Sequence, residues 1–242
     1  MGDILLMVLL VSVVAIVIGG SVFWSQKVSD AWQEAAGRLG LEFAGGSFMI
    51  DPTIRGELRG VSIEVLLHRR RRGTGKNRRT QYFTEFNAYL APDWMCGMRI
   101  TERGFTDKVV EFFGGEDIAI GHDGFDEEFR VRGSVSDKAK EALRQTGPRA
   151  ALQRLVNTFN QFEVDGERIQ TRMKGRISNA NAMTRHISAV VDAADELNDA
   201  IVANTSSDAE DDDVPELFPS PTTVDSPDNQ GAEKEDLGDA VW

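Results

Sequence analysis

Residues 61–68 read VSIEVLLH and residues 82–90 read YFTEFNAYL. In the first stretch Val61, Ile63, Val65 and Leu67 alternate with Ser62, Glu64 and His68; in the second Tyr82, Thr84, Phe86, Ala88 and Leu90 share one parity. A period of two belongs to a strand with one buried face, so the two stretches predict an antiparallel pair. Working outward, Leu41–Phe48 and Met98–Thr101 read as further strands. Asp117–Gly121 and Glu128–Arg132 read as strands around a turn rich in Gly and Asp. Phe162–Val164 and Arg168–Met173 form a hairpin signal turning at Asp165-Gly166.

Helical signals lie between and after these runs. Asp30 and Gln33 make a capping box ahead of Trp32, Ala35, Ala36 and Leu39, with Gly40 placed to end the helix. Ala139, Ala142 and Leu143 share a face, Gly147-Pro148 interrupts it, and Leu152, Leu155, Val156 and Phe159 resume the spacing with Pro148 at the first helical position. A long helix from about Asn181 to Val202 carries Met183, Ile187, Val190, Val191, Ala194, Leu197 and Ile201 as one stripe. Strands in runs, without regular strand–helix alternation, predict an α+β fold rather than a doubly wound sheet. The expected domain spans 27–203, with possible halves at 28–104 and 105–203.

Before this domain lie 23 uncharged residues between Asp3 and Lys27, apolar from Ile4 to Trp24 apart from Ser12, Ser21 and Gly19-Gly20. At ~1.5 Å per residue, that run spans about 31 Å, the thickness of a bilayer's hydrocarbon core. Segment 1–26 therefore reads as a transmembrane helix anchoring a single-pass protein. A cleaved signal peptide, the rival, requires a basic start that Met1-Gly2-Asp3 does not supply. No Lys or Arg precedes Ile4, whereas Lys27, Arg38 and Arg55 follow, so the C-terminal domain is expected in the cytoplasm.

The net charge of −12 is unevenly distributed. Residues 204–242 hold twelve acidic side chains against Lys234, while residues 25–203 hold 26 of each sign. That tail contains Pro215, Pro219, Pro221 and Pro227 and few large apolar residues. It is expected to be disordered, because it cannot bury enough apolar surface to offset its ordering entropy. Its segment Asp211–Phe218, an acidic run joined to Leu217 and Phe218, resembles the acidic tip with which bacterial single-stranded-DNA-binding proteins recruit partners. Here Phe218 is internal, without the terminal carboxylate that recruitment needs, so the tail reads first as an inert solubilising segment, with a protein partner as the alternative the likeness implies.

Catalytic templates fail on inspection. Gly73-Thr74-Gly75-Lys76-Asn77 lacks both the upstream glycine and the Ser or Thr after the lysine that a phosphate-cradling loop needs. The histidines His68, His122 and His186 have no metal-binding spacing, and the carboxylates around His122 do not follow the order of a calcium loop. Cys96, the lone cysteine, excludes an intrachain disulfide and reads as buried filler. Neither catalytic residues, a cofactor nor a metal are expected.

One cluster stands out: Arg69, Arg70, Arg71, Arg72, Lys76, Arg78 and Arg79 put seven cations into eleven residues. They are expected at the mobile tip of the hairpin between the two decisive strands. Such a tip suits an anionic lipid leaflet, where each Lys or Arg contributes ~1 kcal/mol. Nucleic-acid contact through the same residues would be nonspecific, since no aromatic interleaving or recognition helix accompanies them.

Asp117-Ile118-Ala119-Ile120-Gly121, followed by Phe125-Asp126-Glu127-Glu128-Phe129-Arg130-Val131-Arg132-Gly133, resembles a pattern in uncharacterised bacterial single-pass membrane proteins of unknown function, with His122 standing where an acidic residue is expected. That resemblance implies a bacterial inner-membrane protein with a soluble domain and carries no activity to transfer. The expectation from the whole sequence is a membrane-tethered cytoplasmic binding or scaffold module. Its partners are the bilayer and a protein recruited by the acidic tail, with an enzyme of unknown type or nonspecific nucleic-acid contact as alternatives.

Overall fold

The computed structural model describes residues 2–46, 50–73, 78–94, 97–103 and 117–208. Among them are eight strands and five helices, an α+β architecture. Helix α1 spans Gly2–Leu39; strands β1 Glu42–Ala44, β2 Thr53–Leu58, β3 Val61–Arg72, β4 Arg79–Tyr89 and β5 Arg99–Glu102 follow. Helix α2 (Asp123–Glu128) leads into β6 (Phe129–Arg132); α3 (Asp137–Arg144) and α4 (Thr146–Thr158) precede the hairpin β7 (Gln161–Asp165) and β8 (Arg168–Lys174). Helix α5 (Ala180–Asp208) closes the described chain.

All strand pairs are antiparallel, in the order β1-β2-β3-β4-β8-β7-β5-β6. The sheet therefore continues across residue 104, because β8 pairs with β4. The register aligns Ile54, Val65, Phe86, Thr171 and Phe162 in one row, and Ile63, Ala88, Ile169, Val164, Ile100 and Val131 in the next. These residues are buried, and the stripe of α5 from Met183 to Ile201 is buried with them. Gly56 lies in the second row, where a Cβ would fall 2.9 Å from Leu41 Cδ2 and push that side chain aside, and its φ of +149° also favours glycine. The opposite face carries Arg55, Glu64, Glu85, Gln170, Arg172, Glu163 and Arg130. One face is thus apolar and helix-covered, the other polar, as the alternation requires.

Several expectations change. The short helix expected from Asp30 is the last part of α1, which runs on without a break because Ser25-Gln26-Lys27 offers no glycine or proline to stop it. The capping box is unused, but Gly40 does end the helix. With φ +70°, it lets the Leu41 amide reach the Ala36 carbonyl at 2.9 Å and its own amide the Gly37 carbonyl at 3.4 Å. The strand expected over Leu41–Phe48 contracts to β1, and Phe48 lies outside the described residues. Asp117–Gly121 is not a strand. Ile118 donates once to Val131 at 2.8 Å, and the Asp126 carboxylate captures the amides of Ile120, Gly121 and His122 that a ladder would need. The expected Gly/Asp turn after it is α2.

Pro148 is the third residue of α4, not the first, where its missing donor still costs nothing within the first turn. The hairpin turns at Gly166-Glu167 rather than Asp165-Gly166, since Asp165 Oδ1 accepts from the amides of Glu167 and Arg168 and remains in register opposite Arg168. Helix α5 extends to Asp208, five residues into the segment expected to be disordered; the rest of that tail lies outside the described residues. Most side chains between Gly2 and Val22 also lie outside them, and among the described residues no helix is long and apolar enough to cross a membrane.

Candidate functional site: an arginine ribbon

Arg69 to Arg72 and Arg79 belong to strands rather than to a loop, and Arg78 immediately precedes β4. β3 continues through Arg72, with Arg69 opposite Tyr82, Arg70 opposite Gln81, Arg71 opposite Thr80 and Arg72 opposite Arg79. Backbone pairing across β3 and β4 is what carries Arg69 to Arg72 and Arg79 into the ladder. Toward this end, β2 stops pairing at Thr53 with Leu66, and β8 stops at Lys174 with Phe83. Beyond those points β3 and β4 pair only with each other. The result is a two-stranded ribbon projecting from the sheet, with His68, Arg69, Arg70, Arg71, Arg78 and Arg79 exposed. Lys76 lies outside the described residues.

Arg69 meets Asp51 at 3.0 Å. Arg70, Arg71, Arg78 and Arg79 form no salt bridge among the described residues. Four charges are therefore uncompensated on one protrusion, whereas the arginines of the polar sheet face are engaged: Arg55 with Glu64, Arg99 with Glu163, Arg172 with Glu85, and Arg130 and Arg132 with Asp117.

The ribbon and the N-terminal part of α1 leave the domain at the same end. From Gly40 the chain runs back along α1 as β1, reaching Gly46, where a Cβ would fall 2.1 Å from Ser29 Oγ. β2 then runs the other way and β3 returns, so the root of the ribbon at Arg69, tied to Asp51, lies level with Ser29. On the other strand, the Tyr82 carbonyl accepts from the Gly175 amide at 2.8 Å, and two residues later the Ile177 carbonyl accepts from Trp32 Nε1 at 3.0 Å. From Ser29 to Trp24, α1 climbs about 7.5 Å. From Arg69 to Arg72, the ribbon climbs about 10 Å in the same direction.

Reading the sequence did not single out Arg176 or Tyr82. The Arg176 guanidinium lies 3.7 Å above the centre of the Tyr82 ring, beside the ribbon's root. No local signal marks it, since Arg176 stands alone in its loop and Tyr82 reads as an ordinary strand residue.

Other candidate groups do not converge. His68 is on the ribbon opposite Phe83, His122 contacts the Arg149 guanidinium at 3.0 Å, and His186 packs edge-on to Phe86 with 6.0 Å between ring centres and beside Phe159 at 5.5 Å. Burial, followed by the nearby Arg185 charge, lowers the pKa of His186. Burial alone would raise that of Asp117, but the Arg132 hydrogen bond and the charges of Arg130, Arg132 and Arg103 outweigh it, and the net shift is downward. Glu85, 8% exposed, accepts from Asn87, Gln170 and Arg172, which commits its carboxylate to the sheet. Among the described residues, no three His, Cys, Asp or Glu side chains are placed to hold a metal. Cys96 and Thr74–Asn77 lie outside them. A cleft of about 420 Å³ opens between α1 and the start of α5, lined by Lys27, Asp30, Glu34, Arg38, Ser178 and Asn181. Within it Arg38 is taken up by Glu34 and Asn181. Comparison of the chain with protein-family models, with curated proteins and with solved structures gave no match.

Proposed function

We propose that this chain is a single-pass membrane protein of the bacterial inner membrane whose cytoplasmic α+β domain contacts anionic lipid headgroups through the arginine ribbon. The observation that carries the reading is positional: the unpaired arginines project from the end of the domain where α1 turns into its apolar segment. Met7, Leu9, Leu10, Phe23 and Trp24 on that segment are exposed, surface that a bilayer would cover. With the domain tethered, the ribbon adds orientation rather than recruitment. Four engaged guanidiniums supply about 4 kcal/mol at an anionic leaflet, enough to hold one face of the domain against it. In this reading, residues 209–242 form a disordered acidic tail that like-charge repulsion keeps off the leaflet, leaving Asp211–Phe218 free for a protein partner.

The test is made on the full chain in proteoliposomes, with Cys96→Ser and a spin label placed at Gly75 by Gly75→Cys. In bilayers containing acidic lipid, the label should sense a headgroup-bound relaxation agent, and salt should remove the effect, because exposed charge attraction is screened over ~8 Å at physiological ionic strength. A signal independent of lipid charge overturns the reading. Protection of the label by homopolymeric RNA with none from acidic lipid would assign the ribbon to nucleic acid instead.

A further inference from the structure

We propose that Arg176 and Arg71 form a site for a phosphate monoester carried on a membrane lipid. The site would lie on the ribbon face that continues the helix-covered face of the sheet. This inference rests on the lipid-contact reading and goes beyond it by giving the ribbon a chemical preference.

The two ribbon faces differ. Strand alternation puts Arg69, Arg71 and Tyr82 on one face and Arg70 on the other, since Arg69 is directly opposite Tyr82 and Arg71 opposite Thr80. Only the first face gains Arg176, whose guanidinium covers the Tyr82 ring at 3.7 Å. A guanidinium stacked this way keeps its N–H donors in the plane of the fork, pointing away from the ring, and is already ordered before any anion arrives.

The backbone fixes this arrangement on both sides of Arg176. The Gly175 amide donates to the Tyr82 carbonyl at 2.8 Å, and the Gly175 carbonyl accepts from Thr84 Oγ1 at 3.1 Å. Ile177 is tied to Trp32 at 3.0 Å. Arg176 has no ion-pair partner among the described residues, and its Nε atom is buried without a hydrogen-bond acceptor. The charge of Arg176 is thus unmatched within the described residues, and an anion paired with the outer nitrogens of the fork would balance it.

Two cations on one ribbon face suit a monoester. Its dianion offers three terminal oxygens and can take bidentate pairs from two guanidiniums, whereas a phosphodiester offers two oxygens and one charge. A serine headgroup also brings an ammonium group toward the same cations. The site's position at the anchor end places such a phosphate on a lipid rather than on a soluble molecule.

The full chain in neutral detergent micelles is titrated with dioctanoyl phosphatidic acid, dioctanoyl phosphatidylserine and glycerol 3-phosphate, with thermophoresis as the readout. Phosphatidic acid should bind about tenfold tighter than phosphatidylserine, the effect of one charge-assisted pair. Arg176→Gln should remove that preference and leave phosphatidylserine binding in place. Arg176→Lys, which keeps the charge and the fold, should also lose it, and Tyr82→Phe should retain it. Equal affinity for the two lipids, or a preference that survives both Arg176 substitutions, overturns the site while leaving the lipid-contact reading standing. Glycerol 3-phosphate binding as tightly as phosphatidic acid overturns the lipid source. Binding of neither lipid removes both readings.

Discussion

Arg69 and Asp51 join the root of the ribbon to the loop that runs against Ser29 of α1, their side chains 3.0 Å apart. The pair lies where the ribbon leaves the domain, just beyond the last paired residues of β2 and β8. It is also the one place where the cluster's charge is offset within the described chain. With side chains 53% and 35% exposed, it should contribute little to stability. Asp51→Asn should change the unfolding free energy by less than about 1 kcal/mol, while strengthening attachment to acidic bilayers because Arg69 is released. Urea unfolding and the spin-label assay measure the two effects separately; a large destabilisation would show that the pair holds the fold rather than the ribbon.

Glu85 is a different case. It sits 8% exposed and accepts from Asn87, Gln170 and Arg172. Glu85→Ala removes the acceptor of three donors, one of them charged, of which Gln170 keeps a second acceptor in Asn87, and should cost about 2–3 kcal/mol. The double variant Glu85→Leu with Arg172→Met should recover part of that loss, since the arginine charge is no longer left unpaired, while Asn87 and Gln170 still lose an acceptor. Urea midpoints of the two variants give the comparison, and equal losses would deny the coupling.

Gly175 has φ +107° and open space where a Cβ would stand. Any loss in Gly175→Ala is therefore backbone strain rather than a clash, about 1–2 kcal/mol. The same change should loosen Arg176 from Tyr82 and weaken phosphatidic acid binding. A thermal melt equal to that of the unaltered chain would show that this conformation is not needed.

Stability should fall with acid in two steps. His186 has a lowered pKa in the folded protein because of burial and then Arg185, so below about 6.5 the unfolded chain binds the proton more readily. Stability drops from that point until the folded value is passed. Asp117 works lower down: its pKa is held below 3.8 by the Arg132 hydrogen bond and neighbouring arginines, against burial, and its contribution disappears as pH falls through the folded value. Urea unfolding at a series of pH values should show a slope below about pH 6.5 that His186→Gln flattens. An unchanged slope in that variant would place the titration elsewhere.

Removal of residues 209–242 should leave the melting temperature unchanged, because the last buried side chain of the α5 stripe is Ile201, while Val202 is exposed. A clear drop in the truncated chain would show that the tail packs on the domain.

The strongest local patterns told their own story. Val61, Ile63, Val65 and Leu67, and Thr84, Phe86, Ala88 and Leu90, are buried as their parity requires, the α5 stripe is buried as its 3.6-residue spacing requires, and Gly40 ends α1 through its positive φ. Segregation of acidic charge beyond residue 203 and the apolar run from Ile4 to Trp24 are properties of the chain itself. Tertiary structure decided the rest. Thr53–Leu58 has one buried apolar residue, Ile54, and a glycine, and became β2 only because β1 and β3 flank it. The arginines read as a loop by composition but lie in a ladder, because strand length is set by the partner across the pair rather than by the residues of one strand. The placement of β8 beside β4 and the stacking of Arg176 on Tyr82 join segments about eighty or more residues apart. Periodicity reports which face of a segment is buried; it carries no information about which distant segment covers that face, so the ribbon's position beside α1 emerged only from the assembled sheet.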